Sequence, residues 1–227
     1  MLRTRNFRAV FVCAAVLGLL AGCETAPPRP QFPELTFGHL PPIRLNVAEL
    51  QVVRAYASPG QKPNVEQLFP VLPAAVMERW AHDRLKPVGA EGVARAIVKE
   101  ASVVEVPLPR TTGITGTFTT DQSERYDAVL EMSVEASSRD SGRRAMVSAR
   151  ATRSRTVPET ITLNDREKVW FELTEALMND LNASLERQIQ DNFGAFLAQG
   201  TSLPNTSSPG ASSQRGGIRT EPLPPAR

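Results

Sequence analysis

The chain has 227 residues, with 26 Lys plus Arg against 24 Asp plus Glu, a formal net charge of +2, two histidines and two cysteines. So balanced a charge lacks the basic field that non-specific nucleic-acid binding needs, and so few His and Cys exclude a zinc cluster built from them. With 41% hydrophobic residues there is enough apolar material for one well-cored domain.

The first element is a leader. Arg3, Arg5 and Arg8 precede an apolar run over residues 9–20, and small residues follow, the layout of a secretory signal peptide. The run is shorter than the roughly 20 apolar residues that a membrane-spanning helix needs. Its last four residues, Leu20-Ala21-Gly22-Cys23, resemble the lipobox of bacterial lipoproteins. That resemblance implies removal of residues 1–22, a diacylglycerol on the Cys23 thiol, and a chain tethered at its new N-terminus. The competing reading is an ordinary signal peptide cut nearby, with Cys23 a stray thiol. Cleavage before Cys23 removes three arginines and Cys13. The mature chain then carries 23 Lys plus Arg against 24 Asp plus Glu, a net charge of −1, and has no partner cysteine for an internal disulfide.

Residues 23–42 are proline-rich after the cysteine and are expected to form a stalk, spanning at most about 55 Å in polyproline-like geometry. The domain is expected over 43–198. Residues 43–56, IRLNVAELQVVRAY, alternate at Ile43, Leu45 and Val47 and then change phase to Leu50 and Val52, predicting a strand bulged or bent near Ala48. In residues 73–89 Met77, Trp80, Ala81, Leu85 and Val88 recur at helical spacing. Pro73 suits the first turn, and Pro87 and Gly89 supply the stop. Residues 93–106 are rich in β-branched side chains and predict a second, largely buried strand, ended by Pro107 and Pro109.

Tyr126, Ala128, Leu130, Met132, Val134 and Ala136 alternate with polar neighbours, the clearest strand pattern in the chain. A turn in SSRDSG leads into a fourth strand with Ala145, Val147, Ala149 and Ala151 as its inner row. The expected hairpin places Leu130 opposite Ala149 and Glu135 opposite Arg144. The last element starts near Asn164, with Glu167 completing a capping box. Val169, Leu173, Leu177, Leu181, Leu185, Ile189, Phe193 and Leu197 then fall at every fourth position. Each step of four rotates the row by about 40°, so a straight helix cannot hold all of it against one sheet. The helix breaks or bends, wraps the domain, or leaves Leu185, Ile189, Phe193, Phe196 and Leu197 as an overhanging stripe for a protein partner or self-association. From residue 199 onward the composition predicts a disordered tail, 199–227.

The expected fold is an α+β two-layer sandwich, β-α-β-β-β-α, with about four strands in a mixed sheet and both helices on one face. The first two strands are parallel through a crossover and the rest antiparallel. That inferred topology resembles the small domains of envelope lipoproteins, among them lipopolysaccharide-assembly lipoproteins and auxiliary lipoproteins of lipid-transporting ABC systems, although none of their signature motifs is present. It implies work at a bacterial envelope.

Catalytic residues, metal ligands and cofactors are not expected. His39 and His82 read as solvated, and the Gly- and Thr-rich loop at 111–124 lacks the lysine and spacing of a phosphate loop. Arg144, Arg150 and Arg153, with Arg143 and Arg155, are the one candidate anionic-ligand strand, suited to a phosphorylated lipid or acidic polymer. Asp127, Glu131 and Glu135 on the neighbouring strand are the competing partners. The leading functional expectation is a non-enzymatic adaptor or assembly factor, lipid-anchored on the periplasmic side of a bacterial membrane. The outer membrane is favoured because Glu24 is not the aspartate of the enterobacterial retention rule. A lipid-transport accessory is second and an envelope hydrolase a distant third.

Overall fold

The computed structural model describes residues 31–109 and 122–198. Nine of the elements follow in the order β1 (Ile43–Leu45), β2 (Glu49–Arg54), a 3-10 turn (Glu66–Leu68), α1 (Pro73–Arg84), β3 (Leu85–Pro87), β4 (Val93–Pro107), β5 (Gln122–Ser137), β6 (Arg144–Pro158) and α2 (Leu163–Asn192). The main sheet has the order β2-β4-β5-β6, parallel between β2 and β4 and antiparallel thereafter, so the expected α+β sandwich is present. A second, two-stranded parallel sheet of β1 and β3 was not expected.

One-sided burial creates the layers. On β5 the even positions from Tyr126 to Ala136 are at most 2% exposed, and on β6 Val147, Ala149 and Ala151 join them. Trp80 of α1 and Leu173, Leu177 and Leu181 of α2 enter the same core, so both helices cover one face. On β4 the buried positions switch from Ala94, Ala96 and Val98 to Ala101 and Val103. A bulge between Val98 and Glu100 causes the switch: one extra residue reverses the parity and keeps both halves of the strand facing the helices.

The phase change at Ala48 is not a bulge in one strand. Ile43 and Leu45 belong to β1 and pair with β3, whereas Leu50 and Val52 belong to β2 and pair with β4. Between the two sheets Asn46 N–H donates to the Phe196 carbonyl at 2.7 Å and Ala48 N–H to the Glu91 carbonyl at 3.0 Å. The α1 stripe is likewise shorter than expected. The helix ends at Arg84, because Pro87 disfavours helical backbone before it and the chain turns into β3. Leu85 is buried as a strand residue, and Val88 is 44% exposed. Gly89 does not stop a helix. A Cβ there would lie 2.6 Å from the Asn46 carbonyl carbon, so glycine permits the close approach that lets its N–H reach the Val47 carbonyl at 2.9 Å.

In the β5/β6 hairpin the expected register is off by two residues: Leu130 faces Ala151 and Glu135 faces Met146. The turn sits one residue later than assumed, over residues 138–143, closed by Ser138 N–H to the Arg143 carbonyl with Gly142 at φ +64. A two-residue slip keeps every side chain on its face, so the inner row and the pairing of large with small residues survive.

The α2 cap lies two residues before the expected one. Thr162 Oγ1 accepts from Asp165 N–H at 3.1 Å and donates to the Asp165 carboxylate at 2.7 Å. The helix then runs 30 residues without a break. Its rotating row stays buried because its surroundings rotate too. Trp170 meets Phe69 and Tyr126, Asn182 takes a hydrogen bond from Trp80, and beyond the helix Leu197 bridges to Leu45 of β1. The overhanging stripe is therefore not adopted: the helix ends at Asn192, and Phe193 and Phe196 beyond it are buried.

The stalk boundary at residue 42 is too late. Phe37 is 5% exposed, its N–H donates to Asp83 Oδ2 at 2.8 Å, and Phe32 stacks on Phe171 at 5.2 Å. Residues 32–40 are therefore part of the domain.

Candidate functional site

The candidate interface stripe is core. Leu185, Ile189 and Phe193 are 0% exposed, Phe196 is 3%, and Leu197 is half-buried against the same cluster. These five residues close the end of the sandwich against β1 and are not available to a partner in the folded chain.

The arginine strand is divided by strand parity. Arg144 and Arg150 stand on the open face of the sheet, whereas Arg153 stands on the helix side, where it forms a two-point contact with Asp180 of α2 at 2.6 and 3.0 Å. Arg150 Nη1 lies 2.6 Å from Glu100 and 2.8 Å from Glu131. The β4 bulge brings Glu100 onto this face, so the feature that repairs the core also supplies the counter-charge for Arg150. Hydrogen bonds donated to Glu131 and Glu100 hold the Arg150 guanidinium above its ordinary range, and those donated to Asp180 do the same for Arg153. Asp127, expected to offset the β6 arginines, pairs within its own strand. Arg125 and then Ser154 hold its carboxyl below the usual range. The three candidates thus do not converge on one ligand.

What does converge on the open face is a polar cleft of about 1280 Å³ at the β5/β6 turn. The loop before β4 and the turn after β5 overhang it. Glu49, Glu91, Glu135 and Asp140 line it together with Arg95, Arg139 and Arg144. A hydrogen bond with Asp140 raises the Glu91 carboxyl. Arg95 is held by Gln51 at 3.2 and 3.3 Å. Met146, 61% exposed, is the large apolar side chain at its rim. Such a mixed-charge surface suits a polar protein segment and offers nothing to an acyl chain.

Two buried ionic centres were not singled out from the sequence. Glu66 is 4% exposed and accepts from Tyr56 Oη at 2.6 Å, Ser58 Oγ at 2.5 Å, Asn64 Nδ2 at 3.4 Å and Val103 N–H at 3.1 Å. Burial alone would raise its carboxyl, but the donors Ser58, Tyr56 and Val103 reverse the effect and leave it below the usual range. Its chemistry is structural: it ties residues 56–66 to the edge of β4, where Val65 N–H also donates to the Val103 carbonyl at 2.9 Å.

Arg84 is 0% exposed, with Nη2 2.9 Å from Glu186 Oε2. The two form an ion pair, and Nε and Nη1 have no hydrogen-bond partner among the described residues. Burial lowers the guanidinium from its ordinary range, and Glu186 opposes the shift. A signal was available: Arg84 continues the spacing of Met77, Trp80 and Ala81 along the apolar stripe. The 102-residue separation of its ion-pair partner was not legible.

Cys23 and the lipobox, the tail 199–227 and most of the 111–124 loop lie outside the described residues. No helix among the described residues is long and apolar enough to cross a membrane, and no group of metal-ligating side chains is found among them. No family model and no curated protein matches the chain. Among solved structures the chain is similar to a minor lipoprotein from Acinetobacter baumannii, with 15% identity, 67% of this chain and 96% of that one covered, and a TM-score of 0.34. It is also similar to rare lipoprotein B from Shewanella oneidensis, with 13% identity, 63% and 97% covered, and a TM-score of 0.33. A Xanthomonas campestris protein of family DUF330 shares 13% identity over 72% of this chain and 96% of its own, with a TM-score of 0.32. Structural neighbours therefore include bacterial lipoproteins. Likeness at this level carries no functional argument, and function rests on the chain's own residues.

Proposed function

We propose that this chain is a lipid-anchored protein of the bacterial envelope that acts without enzymatic chemistry, as an adaptor or assembly factor. The observation that carries the tethering is Leu20-Ala21-Gly22-Cys23 at the end of a leader-like segment. With the α2 stripe consumed by the core, protein contact falls to the open face of the sheet and its β6 edge, where Met146 and Arg144 border the mixed-charge cleft. The ionic groups support a binding role over a catalytic one: Glu66 is saturated by donors, and Arg150 and Arg153 are tied to acids of the same chain.

A photo-crosslinking residue at Met146, on the full chain in cells, tests the reading. A discrete protein adduct at Met146 that is absent when the probe replaces the helix-side residue Glu175 is expected. Recovery of lipid with no protein adduct refutes the adaptor and favours the lipid-transport accessory.

A further inference from the structure

The two helices run in the same direction and in register. Trp80 Nε1 donates to Asn182 Oδ1 at 2.7 Å and Arg84 meets Glu186 at 2.9 Å, so both partners advance by four residues together. The N-terminal segment follows that direction. Phe32 stacks on Phe171, Arg79 pairs with Glu34 at 3.5 Å, and the Phe37 N–H reaches Asp83. Traced backwards, the chain therefore leaves the domain toward the end that holds the start of α2. Ion pairing of Arg166 with Glu124 places the start of β5 at this end as well, while the β5/β6 turn lies at the opposite end, beside Phe196.

That end carries exposed leucines. Of the six large hydrophobic side chains exposed among the described residues, two lie toward it: Leu163 at 66% and Leu68 at 55%. Leu68 adjoins Phe69, which stacks on Trp170 at 5.0 Å. Leu163 lies seven residues before Trp170, on the same side of α2 and about 10 Å further along its axis. Eight residues lie between Cys23 and Phe32, a reach of about 30 Å at full extension.

We propose that this end of the domain is a membrane-apposed surface, with Leu68 and Leu163 seated in the interfacial layer of the bilayer that holds the Cys23 lipid. The inference rests on the lipid-anchor reading, and the tether makes the bilayer the fitting occupant. The anchored chain emerges at the same end as the leucines and is too short to hold the domain far from lipid. The polar cleft and Met146, at the other end of 15- and 16-residue strands, then face away from the membrane toward a partner.

The test uses the full chain expressed with its leader, purified from membranes and reconstituted into phosphatidylethanolamine–phosphatidylglycerol vesicles. Single Leu68→Cys, Leu163→Cys and Met146→Cys variants carry an environment-sensitive fluorophore, and quenching by nitroxide-bearing lipid and by aqueous iodide is measured. Intact mass of the same samples reports acylation of Cys23. Acylated protein quenched by lipid several-fold more strongly at positions 68 and 163 than at 146 is the expected result. Acylated protein with all three positions open to iodide and untouched by lipid quencher overturns the membrane surface while the anchor stands. Positions 68 and 163 shielded from both quenchers overturn it too, in favour of a second copy or a protein partner. Protein lacking the acyl chains defeats the anchor and this surface together.

Discussion

Leu185→Ala distinguishes core from interface in the second half of α2. Leu185 is fully buried, and its neighbours along the row, Leu181 and Ile189, are fully buried as well. Removing most of a buried leucine side chain costs about 2–5 kcal/mol, and more when the site cannot collapse into the space. Here collapse is resisted by two contacts from α1, the bond from Trp80 to Asn182 and the ion pair of Arg84 with Glu186. The expectation is therefore about 3–4 kcal/mol, a large share of the roughly 5–15 kcal/mol that keeps a domain folded. The midpoint of thermal unfolding falls by about 6–16 °C at this chain length. Urea unfolding followed by circular dichroism, on the mature chain bearing Cys23→Ser, measures the loss, and sedimentation reports association. A loss below about 0.5 kcal/mol with altered association would refute burial and restore the stripe as an interface.

The buried ion pair behaves asymmetrically. Arg84→Met combined with Glu186→Leu, which replaces the buried pair and its two unpartnered nitrogens by apolar side chains, is expected to be neutral or stabilising in urea unfolding. Glu186→Ala leaves the Arg84 charge buried and uncompensated and costs about 2–3 kcal/mol, less than a fully enclosed pair because Glu186 is 17% exposed. Equal losses from the double substitution and from Glu186→Ala contradict this. For Glu66, the folded carboxyl lies below its ordinary value, so its stabilisation is present at neutral pH and disappears as pH falls through about 4 and below. Glu66→Gln is therefore less stable than the parent at pH 7, and the gap narrows by pH 3. A gap that does not change with pH argues against a structural carboxylate.

The elements that could be read from sequence are those whose local pattern and tertiary role coincide. The even positions of β5 alternate because one face is covered and the other is not. The β2-to-β4 crossover was legible because a helix separates two apolar strands. Where one pattern serves two structures, the reading failed: a bulge and a change of sheet both shift the phase at Ala48. Phe32 and Phe37 were hidden because isolated aromatics among prolines look like linker, and their docking depends on Arg79, Asp83 and Phe171 far along the chain. The every-fourth row on α2 was seen, but which surface each step meets depends on α1 and β1. Among candidate site residues, parity alone places Arg153 on the opposite face from Arg144 and Arg150. By contrast, the role of Glu100 required the bulge to be known.

The central claim is a domain held at a membrane through Cys23. Intact mass spectrometry of the protein from isolated membranes, beside Cys23→Ala, tests it most directly. A chain that begins at residue 23 and carries a diacylglyceryl group is expected, with Cys23→Ala either released from the membrane or left unprocessed. A Cys23→Ala chain that is cleaved normally and stays membrane-bound, or a parent chain with a free Cys23 thiol, contradicts it.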